Sequence, residues 1–121
     1  MAKIVQVLNS IISNENKISN VLRNIEEYFF LYNKKHKWSI GKPQNFATNG
    51  GYYVCFYPQE GYSLEDIVKY ADDLDDSSYV VYRTEDIRTQ EAYETFRELY
   101  QIVSSKLYGL DEIFDEIIND N

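Results

Sequence analysis

Apolar residues at the start of the chain recur every three or four positions, which is the spacing of an amphipathic helix. Polar residues at 14–16 end the pattern. The sequence therefore predicts a first helix that packs one face on the rest of the protein. The apolar stripe consists of Ile4, Val7, Leu8, Ile11 and Ile12.

The next segment, residues 17–25, carries two conflicting signals. The apolar residues Ile18, Val21, Leu22 and Ile25 keep a helical spacing. Asn and Ser residues interrupt them, and these residue types favour caps and turns over helix interiors. The pattern predicts no single conformation for this segment.

Two aromatic segments that follow have the character of strands. Residues 27–31 and 36–40 flank a polar turn at 32–35, and the Asn in that turn tolerates a left-handed backbone. The second strand places His36, Trp38 and Ile40 on one face and two polar residues on the other. This alternation predicts a hairpin in a sheet that is wet on one side.

The most apolar and aromatic stretch runs from Gly51 to Pro58. Val, Phe and Tyr suit a pleated surface, and Pro58 ends the strand because it has no N–H for the ladder. Large side chains alternate to both sides, so we expect both faces to be buried and the strand to lie mid-sheet. The preceding loop, 41–50, is longer than most hairpin connections and is predicted to be the most mobile element.

Helical patterns dominate the rest of the chain. Ser63 is placed to cap a helix whose apolar stripe extends to Leu74, and residues 78–83 form a β-prone run. Thr89 begins the longest helix, and Gly109 suits its left-handed C-terminal cap. The last helix starts at Asp111, and its apolar face consists of Ile113, Phe114, Ile117 and Ile118.

These elements predict a single α+β domain over residues 1–121. Its sheet is mainly antiparallel, has about four strands and is packed with helices in the order α-β-β-β-α-β-α-α. Apolar runs fall far short of the roughly 18 residues of a membrane span, and no cleavable leader is recognisable. Because the single cysteine, Cys55, cannot form an internal disulfide, we expect a cytoplasmic protein.

Charge divides the chain into two unlike halves. Residues 1–58 hold seven Lys and Arg against three Asp and Glu, whereas residues 59–121 hold five against seventeen. The net charge of −8 disfavours nucleic acid and favours a basic protein partner. Acidity that serves only solubility is the alternative.

The densest acidic cluster follows the predicted second helix and is the predicted partner-binding site. A metal site is the alternative there, but the spacing lacks the glycine and the final glutamate of a calcium-binding loop. We therefore expect no metal. The predicted site consists of Asp72, Asp73, Asp75, Asp76 and Tyr79.

A basic, aromatic strip on the predicted hairpin offers a second possible contact. Lys34, Lys35 and Lys37 can neutralise phosphates, and Trp38 can stack on a base of a single strand. Lysines at a hairpin tip also serve to prevent edge pairing, and the acidic remainder of the chain opposes nucleic acid.

Catalytic chemistry finds little support. Cys55 and His36 are the only cysteine and histidine, so a thiolate–imidazole pair would have to be this pair, and a packing role for Cys55 is favoured. No phosphate loop, dinucleotide fingerprint or other cofactor motif is present. The sequence therefore predicts a non-enzymatic protein without a cofactor. A small-molecule binder or enzyme at the 41–50 loop is a further alternative.

In general type, a small acidic α+β chain without a catalytic constellation is similar to immunity proteins that neutralise toxins and to small inhibitors. This likeness implies non-catalytic binding to another protein.

Overall fold

Five strands form one antiparallel sheet whose spatial order is the same as the chain order. The computed structural model describes residues 2–25, 27–43, 51–75 and 78–120. The strands are β1 (Ile18–Arg23), β2 (Glu27–Tyr32), β3 (His36–Gly41), β4 (Tyr53–Tyr57) and β5 (Val80–Arg83).

Within the described ranges, five α-helices accompany the sheet. None of the described helices combines the length and the hydropathy that crossing a bilayer requires. The helices are α1 (Lys3–Ser13), α2 (Leu64–Lys69), α3 (Thr84–Ile87), α4 (Gln90–Tyr108) and α5 (Leu110–Asn119).

The predicted α+β class and antiparallel sheet are confirmed, with five strands instead of about four. The additional strand is β1, in the segment for which the pattern was ambiguous. Its register against β2 slips by one residue between Ser19 and Leu22, and Asn20 there has a φ of 54°. Such a bulge puts Ile18 and Val21, three positions apart, on the same face. A bulged strand thus reproduces the apolar spacing of a helix.

One face of the sheet is covered by α1 and α4. Phe30 and Ile40 from the sheet pack with Leu8 of α1 and with Phe96 and Leu99 of α4, and all five are completely buried. Thr89 caps α4 by accepting a hydrogen bond from the Ala92 amide, as the sequence predicted. We call this face the α1–α4 side of the sheet, and it holds most of the hydrophobic core.

The opposite face is also covered, so the expectation of a wet side is wrong. There α2 packs Leu64 and Ile67 against Phe29, Cys55 and Tyr57. The polar residues that were expected in water on β3, Lys37 and Ser39, are both buried. Alternation on one strand could not reveal this layer, because the covering helix comes later in the chain.

The aromatic stretch forms β4, whose side chains are buried on both faces as predicted. It pairs with β3 and β5, so it is an interior strand, although β3 holds the central place. The helix after it starts at the predicted cap, Ser63, in a reciprocal pair of hydrogen bonds with Asp66. This helix ends at Lys69, short of the predicted Leu74, which is extended.

Candidate functional site

The last helix, α5, is the main exposed apolar feature of the molecule. It follows α4 directly, because Gly109 adopts a left-handed backbone with a φ of 60° that ends one helix and begins the next. Its closest neighbour is α4. The exposed fractions of its apolar side chains are 44% for Ile113, 54% for Phe114, 65% for Ile117 and 67% for Ile118.

These four positions lie within an arc of about 140° on α5, because each residue of a helix turns by about 100°. The helix and the residues after it contain no Lys or Arg. Asp115, Glu116 and Asp120 are exposed. We call this surface, formed by the four apolar residues and these carboxylates, the α5 face.

An apolar groove lies on the α1–α4 side of the sheet, between α1 and strands β2 to β5. Its volume is about 790 Å³. Trp38 and Phe56 pack against each other at its floor, with ring centroids 4.8 Å apart and ring planes tilted by 52°. The exposed residues Lys3 and His36 also line it. We call it the α1 groove, and its main apolar lining is Ile4, Val7, Ile11, Phe56, Tyr82 and Ile87.

The predicted partner-binding cluster is only partly described. Asp73 and Asp75 are exposed, and Asp75 accepts a hydrogen bond of 3.2 Å from Ser78. Asp76 and the Asp72 side chain lie outside the described part of the structure. Tyr79 is half-buried, and its ring packs 5.9 Å from that of Tyr57.

The four residues of the predicted nucleic-acid strip do not form one surface. Lys34 and Lys35 are exposed in the β2–β3 turn. Lys37 is buried on the α2 side, where its ammonium donates to the carbonyls of Gln59 and Tyr62. Trp38 points to the other side of the sheet and is 8% exposed. Only Lys34 and Lys35 of the four residues are therefore accessible to a phosphate or a base.

The only cysteine and the only histidine lie on opposite faces of the sheet. The ring of His36 lies near that of Phe56 on the α1–α4 side, whereas Cys55 packs under α2 on the opposite face. Burial, with the charge of Glu27 as a smaller contribution, raises the pKa of the Cys55 thiol to about 11. The sheet separates the two groups, so they cannot form a catalytic pair.

A raised thiol pKa gives a testable dependence of stability on pH. The unfolded thiol ionises near pH 9 and the folded one near 11. The stabilisation from Cys55 is therefore complete below pH 9 and is lost as pH rises to 11, at about 1.4 kcal/mol per unit. Tyr57 contributes with the same sign, because burial also raises its pKa.

We expect Cys55→Ala to flatten the fall of the unfolding free energy between pH 9 and 11, measured by urea denaturation at several pH values. The comparison uses slopes, so the constant cost of the lost sulfur cancels. Equal slopes for the variant and the natural protein would contradict a thiol held neutral by burial.

Comparisons with known proteins were made at three levels. No family model, no curated protein and no solved structure matches the chain.

Within the described ranges, no three His, Cys, Asp or Glu side chains come together as a metal ion would require. The loop at 41–50 contributes only residues 41–43 to the described structure, so the predicted small-molecule site there lies mostly outside it.

The sequence predicted the last helix and its apolar face, but that prediction did not say whether the face is buried or exposed. Two signals in the sequence could have indicated its exposure. The helix is short and contains only acidic charges, and the helix before it already supplies a long apolar face for the core. The α1 groove had no comparable signal, because its lining comes from six separate elements.

Proposed function

We propose that the protein acts by non-catalytic binding to another protein, as immunity-type and inhibitor proteins do, and that the α5 face carries the contact. The observation that supports this is the solvent exposure of Ile113, Phe114, Ile117 and Ile118 on one side of α5. Exposures of this size leave roughly 500 Å² of apolar surface in water, and patches of that size commonly mark interaction sites.

The charges on α5 define the partner. A helix that inserts an apolar face in a groove positions its polar flanks against the edges of that groove. Because the exposed charged residues on this helix and directly after it, Asp115, Glu116 and Asp120, are all acidic, we expect the edges of the partner's groove to be basic. The partner is therefore a protein with an apolar groove and Lys, Arg or His beside it.

A lipid surface fits this helix less well. Interfacial helices usually carry Lys and Arg that are attracted to anionic headgroups. With only Asp and Glu among its charged residues, α5 would be repelled by such a surface. Protein binding is accordingly the function that agrees with both the apolar and the charged parts of the helix.

The acidic residues after α2 have an auxiliary role in this proposal. Asp73 and Asp75 are exposed, and they add to the negative field that attracts a basic partner over long distances. Exposed charges of this kind mainly raise the association rate, and salt screens their effect.

Photocrosslinking in the native host tests the contact. A benzophenone amino acid replaces Phe114 and, as a matched control, Ile25, whose side chain is 90% exposed elsewhere on the molecule. We expect a protein adduct from position 114 and none above background from position 25. The yield at 114 is expected to fall several-fold when Asp115→Asn and Glu116→Gln remove the flanking charges. Equal yields from positions 114 and 25 would refute the proposal.

A further inference from the structure

We infer that the partner of α5 is a second copy of this chain, whose α1 groove receives the helix, with the exchange made in both directions. This inference rests on the proposed function, because it names the partner of the same helix face. The protein would then be a reciprocal dimer in which each copy donates α5 and accepts the other.

The first support is chemical complementarity. The partner that α5 requires has an apolar groove with a basic edge, and the chain itself contains one. The α1 groove is lined mainly by aliphatic and aromatic side chains, and Lys3 and His36 are exposed in its lining. The exposed carboxylates of α5 thus have the Lys3 ammonium as a partner of opposite charge at the groove.

Charge also disfavours the simplest competing dimer. Two α5 helices that paired through their apolar faces would place two acidic helices side by side with no Lys or Arg on either helix. Like charges placed opposite one another are destabilising. Docking in the groove avoids this repulsion.

In the structure α5 does not occupy the groove of its own chain. The helix contacts α4, and none of its described residues lines the α1 groove. Lys106 and Gly109, at the end of α4, border a separate cleft beside Ile18 and Val21 of β1. The α1 groove is therefore open to a second copy.

The surface area favours a reciprocal pair over an open chain of copies. One α5 face with the groove that covers it buries roughly 1,000 Å², which is the lower limit for a specific interface. Two such contacts bury roughly 2,000 Å², which is the size of a stable dimer interface. A closed pair with two contacts is therefore expected to be the species in solution.

Sedimentation equilibrium of the purified full chain tests the inference. We expect a mass that rises with concentration from that of one chain, 14.3 kDa, to twice that value. Ile117→Asp on α5 and Val7→Glu in the groove should each raise the dimer Kd by roughly 30-fold or more. Ile25→Asp, which changes an even more exposed isoleucine that belongs to neither surface, should leave the dimer Kd unchanged.

Mixing the two defective variants locates the contact. The Ile117→Asp chain keeps its groove and the Val7→Glu chain keeps its helix, so a one-to-one mixture is expected to form a heterodimer with one intact contact. Thermal unfolding followed by circular dichroism checks that each variant folds. If Val7→Glu does not fold, Lys3→Glu at an exposed position replaces it and is expected to weaken the dimer roughly tenfold.

Several results would overturn the inference. The first is a single-chain mass at all concentrations, and the second is an Ile117→Asp dimer as tight as that of the natural chain. The third is a mixture of the two variants that stays monomeric at the highest concentration used. The fourth is a small molecule bound in the groove and detected by native mass spectrometry. A monomeric pure protein whose position 114 crosslinks to a different protein in the host would refute self-association and leave the proposed function standing. No adduct at all would refute both.

Discussion

Phe30→Ala is expected to lower the free energy of unfolding by about 4 kcal/mol. Phe30 lies on β2 opposite Trp38, is completely inaccessible to solvent and belongs to the core under α1 and α4. Removing its ring loses the transfer free energy of the buried atoms and leaves a cavity that the surrounding sheet and helices fill only in part. Urea denaturation at dilute protein concentration measures the difference.

The same substitution at Phe114 provides the control. Its side chain is 54% exposed, and Ala is a better helix former than Phe. The free energy of unfolding should therefore change by less than about 0.5 kcal/mol in the monomer. A loss at Phe114 comparable to that at Phe30 would mean that the α5 face is buried within the chain, and both proposals about this helix would fail.

Lys37→Met is expected to cost about 2 kcal/mol, although lysine at a hairpin is usually replaceable. The Lys37 ammonium donates to the carbonyls of Gln59 and Tyr62, and so connects β3 to the turn before α2. Met keeps most of the apolar stem but leaves these two carbonyls without their charged donor. The loss is again measured by urea denaturation.

Lys34→Met and Lys35→Met are the matched controls, because the same change is made at exposed positions three and two residues away. Each should alter the free energy of unfolding by less than about 0.5 kcal/mol. If Lys37→Met were as stable as these variants, the two carbonyl contacts would contribute nothing measurable to stability. Lys37 would then again be a candidate for contact with a phosphate.

Local patterns predicted most of the elements and several of their ends. The stripe in α1, the cap at Ser63, the cap at Thr89 and the left-handed Gly109 are set by residues within a few positions of one another. The β2–β3 hairpin is of the same kind, since Asn33 and Lys34 both adopt positive φ in its three-residue loop. Such features depend on local sterics and hydrogen bonds, which are written in the sequence.

The failures share a different cause. The bulge at Asn20 made a strand resemble a helix, and its position is set by the register against β2. The burial of Lys37 depends on a turn that lies more than twenty residues later in the chain. The amphipathic pattern of α5 predicted that one face is apolar, but it could not indicate whether another segment covers that face. Each outcome requires knowledge of a distant segment.

The sequence by itself determined the class of fold, most of the helices and strands with several of their ends, and the separation of a basic half from an acidic one, because periodicity, caps and charge are properties of neighbouring residues. The tertiary structure decided which apolar faces are covered, which lysines reach solvent, and that the α5 face and the α1 groove are both open. Those properties depend on which surfaces meet when the chain folds, and a pattern along the chain specifies only that a surface is apolar.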